Sequence, residues 1–230
     1  MNAQAIFHKH KYKIGVFLLL SAASVICIAL VIARVIYTGS SRYQMLIWNL
    51  FLAWIPFILA GLAYMLSWNK KLVYLVIPFF TLFWLIFFPN APYILTDLQH
   101  LSQGPGGSPL WYDVIMLVWF SWTGMLLGIV SLYLVQEIIR RQFSRLFGWI
   151  FVVAVACLSS VGVYVGRFVR LNSWDLFQAP SQAADDLWTW LSDPSLKSIG
   201  FIGLYTLFFI FTYLTLYAFG HILIENEPRK

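Results

Sequence analysis

Residues 72–100 read LVYLVIPFFTLFWLIFFPNAPYILTDLQH. The first part, 72–88, is uncharged and apolar, and it approaches the roughly 20 residues that a membrane-crossing helix needs. Pro89 marks a sharp exit, because proline removes a backbone donor and breaks a helix. Asn90, Pro92, Asp97 and His100 follow at once. So much polar chemistry at the end of a hydrocarbon-length run points to a site in use.

The rest of the chain has the same character. It holds 230 residues, 61% hydrophobic and 10% charged, with a mean hydropathy of +0.79. Soluble domains carry about 25% charged residues, so this composition indicates an all-α, polytopic integral membrane protein. The net charge of +6 would suggest nucleic acid in a soluble protein. Here it reflects Lys and Arg retained on cytoplasmic loops, and no nucleic-acid partner is implied. Cys27 and Cys157 fall inside apolar runs and read as small packing residues, not as a disulfide or metal pair.

Six apolar runs, at about 14–36, 44–66, 72–88, 114–136, 149–166 and 198–224, make a single transmembrane domain over 1–230. The first follows Lys9, Lys11 and Lys13 as a signal-peptide core would, but its length and the five spans behind it favour an uncleaved helix. Ten basic residues then face the cytoplasm: Lys9, Lys11, Lys13, Lys70, Lys71, Arg140, Arg141, Arg145, Arg229 and Lys230. Five (Arg34, Arg42, Arg167, Arg170 and Lys197) face the outside, a bias that obeys the positive-inside rule and leaves both termini cytoplasmic. Trp48, Trp68, Trp111, Trp149, Trp174, Trp188 and Trp190 fall at expected helix ends, where an aromatic belt belongs.

This topology sets residues 89–111 in an outer loop free of Lys and Arg, with a Gly/Pro-rich turn at 103–109. Ser108 and Pro109 are placed to start the fourth helix. In the outer segment 167–197, Ala184, Leu187, Trp188 and Leu191 recur at helical spacing opposite Asp185, Asp186 and Thr189. A short interfacial helix is expected there, at about 181–192. Pro56 and Pro78 lie inside expected helices and should kink or loosen them.

Four segments carry a family resemblance: 48–56 (WNLFLAWIP), 88–101, 110–113 (LWYD) and 162–175 (GVYVGRFVRLNSWD). Together the chain resembles a family of prokaryotic membrane proteins known as domain of unknown function 1361. The resemblance runs from about residue 44 to the sixth helix. It implies a multi-span protein of a bacterial or archaeal cell membrane, and it supplies no activity.

Asn49, Asn90, Asp97, His100, Asp113, Arg167, Arg170, Asn172 and Asp175 all fall on the outer side or in the outer halves of helices. Polar groups at membrane depth face a cavity or one another, which gives an outward-open polar pocket. Asp97 and His100 stand three apart, on one face if that segment is helical. They suit general acid–base work or metal ligation, with Asp113 or Asp175 as a further oxygen ligand. A structural reading stands beside this one: Thr96 and Gln99 fit a capping box, and Asp97 suits a helix first turn. Asp113 also suits a first turn, while Asn172 and Asp175 have the spacing of a cap and its partner. Arg167 and Arg170, a turn apart on the side that avoids basic residues, are either a fork for an anionic headgroup or partners of Asp175 or Asp97. Asn90 and Asn172 complete the candidate ligand set.

No Walker loop, dinucleotide fingerprint, HExxH helix or GxSxG elbow occurs, and no motif nominates a cofactor or a metal. Three functions remain. The first is binding or processing of an anionic amphiphile at the outer leaflet, with Asp97 and His100 as catalytic groups. The second is a membrane assembly or binding subunit with a structural polar network. The third, a small-solute transporter, is disfavoured by inner helix halves that lack ionisable groups.

Overall fold

A backbone amide stranded in hydrocarbon costs several kcal/mol, so an apolar run must satisfy its own hydrogen bonds as a helix. The computed structural model describes residues 3–69, 73–103, 107–171, 173 and 175–225, and every regular element among them is helical. In chain order these are α1 (Ala3–Thr38), α2 (Met45–Leu66), α3 (Val73–Phe87), the single turn α4 (Asn90–Tyr93) and a 3₁₀ segment (Ile94–Gln103). Then follow α5 (Leu110–Gln142), α6 (Arg145–Tyr164), a π turn (Val165–Val169), α7 (Asp175–Gln178), α8 (Pro180–Ser192) and α9 (Leu196–Glu225). Six segments are long and apolar enough to cross a membrane: Tyr12–Thr38, Met45–Leu66, Pro78–Leu101, Leu110–Gln142, Arg145–Val169 and Leu196–His221.

The third segment departs from the sequence reading, which ends a helix at Pro89 and begins a loop. Pro89 does interrupt α3, but the chain re-enters helix at Asn90 and continues as the 3₁₀ segment to Gln103. Pro92 is tolerated in α4 because the first amides of a helix have no intrahelical acceptor. Ten residues is long for a 3₁₀ helix, whose runs seldom exceed three or four.

The chain divides into two compact units, residues 1–57 with 90–130 and residues 58–89 with 131–230. The core of the first gathers Leu20, Cys27 and Val31 of α1, Leu46 and Leu50 of α2, Ala91, Ile94, and Met116, Leu117 and Phe120 of α5. Two close approaches seat the α4 turn on α5. A Cβ at Gly124 would lie 2.7 Å from the Ala91 carbonyl oxygen, and Ser121 Oγ, which donates to the Leu117 carbonyl at 2.8 Å, shares that proton with the Ile94 carbonyl at 3.2 Å.

In the second unit α6 packs along α9, and Thr206 Oγ1 donates to Ser160 Oγ at 2.9 Å. Trp84 Nε1 donates to Ser131 Oγ, Tyr213 to Gln136 Oε1, and Arg140 to Tyr217 Oη. A Cβ at Gly162 would lie 2.6 Å from Pro89 Cγ, so α6 lies hard against the proline that ends α3. In both units intrahelical serines and threonines return their protons to the carbonyl four residues back, as Ser24, Thr123, Ser160 and Thr212 do. This keeps hydroxyls satisfied without water. Large apolar side chains such as Ile36, Met65, Leu204 and Phe211 stand exposed, the surface that lipid tails can cover. Cys27 is buried as expected, but Cys157 is exposed and takes no part in core packing.

Candidate functional site

Asp97 and His100 are brought together in the first unit by the 3₁₀ winding. With three residues per turn, positions i and i+3 eclipse, so the two side chains share one row. His100 Nε2 lies 3.6 Å from Asp97 Oδ1, an ion-pair distance when the imidazole is protonated and longer than a hydrogen bond. Asn49, in the second turn of α2, donates from Nδ2 to Asp97 Oδ2 at 2.8 Å. The Asp97 side chain is 1% exposed and that of His100 15%. A buried carboxylate is thus fixed on one side by an amide and faces an imidazole that opens to the surroundings. The Thr96 hydroxyl donates inward to the Tyr93 carbonyl at 2.7 Å.

The same unit holds an ion pair that the sequence reading lacks. Asp113, in the first turn of α5, is reached by Arg34 near the end of α1. Arg34 Nε donates to Oδ1 at 2.7 Å and Nη2 to Oδ2 at 3.2 Å. Ser108 Oγ donates to the same Oδ1 at 2.7 Å. The pair is buried on both sides, so charge-assisted bidentate bonding must replace the water that both ions give up. The Arg34 guanidinium lies 4.5 Å from the centroid of the Tyr43 ring, and that of Arg42 lies 5.4 Å from it. Arg42 Nη2 also donates to the His100 carbonyl at 2.9 Å, which links the two clusters. Burial raises the Tyr43 phenol above its ordinary range, Asp113 adds to the shift, and Arg42 and Arg34 oppose it.

The remaining candidates are differently placed. Asn90 is half-buried at the head of α4, in the first unit. Arg167, Arg170 and Asp175 belong to the second unit. Arg167 sits half-buried in the π turn, and exposed Arg170 ends it in the left-handed conformation with φ 66°. A wide turn breaks the α-helical register, so their spacing no longer implies a shared face. Asp175 opens the short α7. Asn172 lies outside the described residues. Among the described residues no three His, Cys, Asp or Glu side chains gather closely enough to hold a metal ion, so metal ligation at Asp97 and His100 gains no third ligand there.

A family described as a protein of unknown function, DUF1361, matches residues 48–213, well over half of the chain. The chain belongs to that family. No curated protein matches it, and no solved structure does. The region matched to DUF1361 contains Asn49, Asp97, His100 and Asp113, whereas Arg34 and Arg42 precede it. In this DUF1361 protein the matched region therefore supplies both carboxylates, and the stretch before it supplies Arg34, which pairs with Asp113, and Arg42, which donates to the His100 carbonyl. The Arg34–Asp113–Ser108 set is buried and suits a fixed strut. Asp97 and His100 face one another at ion-pair distance, with the carboxylate held by Asn49.

Proposed function

We propose that this multi-pass protein sits in a prokaryotic plasma membrane with both termini cytoplasmic. The positive-inside bias supports that orientation, which puts the Asp97–His100 end of the first unit on the outer side. There it binds and processes an anionic amphiphile of the outer leaflet. His100 exchanges a proton with the bound headgroup, and Asp97 holds the imidazole. Arg42, fixed by its bond to the His100 carbonyl, contributes positive charge to the same site. The observation that carries this reading is a 1%-exposed carboxylate, held by Asn49, beside a ring that remains open.

The test is reconstitution of the purified protein into vesicles of bacterial lipid extract, followed by mass spectrometry of the lipids. The expected result is a modified anionic amphiphile with the wild type and none with His100→Gln at equal folded protein. Identical lipid profiles for both would remove the catalytic reading. One observation favours a second reading, an assembly subunit with a structural network: the Arg34–Asp113 pair is fully enclosed. That reading is supported instead if His100→Gln lowers the unfolding temperature and leaves lipid composition untouched.

A further inference from the structure

We infer that the second unit binds one anionic phospholipid at Arg141, where α2 and α5 reach the membrane surface. The inference needs neither the chemistry nor the orientation proposed above. The spanning segments Met45–Leu66 and Leu110–Gln142 both end beside this residue.

The Arg141 guanidinium lies in a corner between two rings, one turn apart at the end of α2. Its central carbon is 4.7 Å from the Tyr64 centroid and 4.5 Å from that of Trp68. The rings meet at 84° with their centroids 6.3 Å apart. Cation–π attraction in that corner holds the guanidinium in place before any ligand arrives, so little side-chain freedom is left to lose on binding.

Its hydrogen-bonding capacity is only partly used. Nε donates to the Glu137 carbonyl at 3.2 Å and Nη2 to Ser67 Oγ at 3.4 Å, whereas Nη1 donates to no described residue. The Glu137 carboxylate stands 3.9 Å from Arg141 Nε and 3.5 Å from Arg140 Nη1. Two guanidinium groups thus share one carboxylate at distances longer than an ordinary hydrogen bond. Residues 131–150 hold Arg140, Arg141 and Arg145 against Glu137 alone, which leaves uncompensated positive charge at these helix ends. The Arg141 side chain is 25% exposed, and its open edge can meet a phosphodiester as a fork.

The surroundings decide what carries that phosphodiester. Trp68, Phe143 and Phe147 stand exposed at the same helix ends, as side chains that enter a bilayer interface do, so the anion arrives on a lipid. A zwitterionic lipid brings its own ammonium. The uncompensated charge favours a headgroup without one, such as that of phosphatidylglycerol.

The experiment is native mass spectrometry of the delipidated full chain with equal amounts of phosphatidylglycerol and phosphatidylethanolamine, beside thermal unfolding. Preferential retention of phosphatidylglycerol is expected, falling about fivefold in Arg141→Gln, the share of one basic residue near an anionic headgroup. Glu137→Gln should raise retention, because it removes the carboxylate that competes for the same guanidinium. A purely structural pair would instead unfold earlier in both variants and leave the lipid ratio unchanged. His100→Gln, in the first unit, should match the wild type, which separates this site from the one proposed above. If Arg141→Gln does not fold, Arg141→Lys takes its place, since it keeps the charge and loses the fork. Equal retention of the two lipids, retention unchanged in a folded Arg141 variant, or displacement of the lipid by inorganic phosphate would overturn the inference.

Discussion

Removing the Asp113 carboxylate tests the Arg34–Asp113 pair most severely. Arg34 is 1% exposed and the Asp113 side chain 4%, so Asp113→Ala leaves a guanidinium with no water and with its bidentate partner gone. Breaking a buried pair on one side costs about 3–5 kcal/mol, and Arg34→Ala should cost a similar amount while also taking the cation off the Tyr43 ring. The double variant Arg34→Met/Asp113→Leu removes both charges and keeps the volume filled. Replacements of that kind are neutral or stabilising by about 1–4 kcal/mol. Against that stands the loss of the Ser108 hydrogen bond, about 1 kcal/mol. The double variant should therefore lie within about 1 kcal/mol of the wild type or above it, although the two single losses sum to about 6–10 kcal/mol. Unfolding in detergent, followed by near-UV circular dichroism against heat or dodecyl sulfate, measures all four corners of the cycle. Additive losses, or a single variant as stable as the wild type, would refute the reasoning.

Gly162→Ala should cost about 1–3 kcal/mol by overpacking, since its Cβ would stand 2.6 Å from Pro89 Cγ; Gly61→Ala, with nothing within 4 Å, should gain up to about 1 kcal/mol in helix propensity, both read by the same unfolding assay. Arg170→Gly should raise stability by about 1 kcal/mol by relieving the left-handed residue at φ 66°, and an unchanged midpoint would show that the backbone there relaxes without cost. Tyr43 supplies a pH prediction. Its raised phenol pKa means that the unfolded chain releases the proton first, so its contribution is complete below about pH 10 and declines above it. Unfolding midpoints at about pH 9 and about pH 11 should therefore fall further apart in the wild type than in Tyr43→Phe.

The helices were legible because a hydrocarbon solvent leaves apolar runs one way to fold. The pairing of Asp97 with His100 was legible from spacing three. Arg34 was not identified as part of the site, because the sequence reading used it only as an outer charge for orientation. A usable signal was present: a guanidinium within an apolar run requires a partner at the same depth. The partner's identity was hidden, since Asp113 lies 79 residues away and looks adequately explained as a first-turn carboxylate facing the dipole. The helix beyond Pro89 was obscured by Pro92, a breaker everywhere except in a first turn.

The row Ile94, Asp97, His100 runs outward from the core, from 0% and 1% exposed to 15%. It stays straight only while the segment keeps three residues per turn. Rewinding to an α-helix would rotate each member by about 60° from the one before and carry His100 away from the carboxylate. A molecule that engages both side chains therefore favours the tighter winding, and one that binds His100 alone does not. Because Ala91 and Ile94 are seated against Gly124 and Ser121, α5 resists any rewinding of this segment.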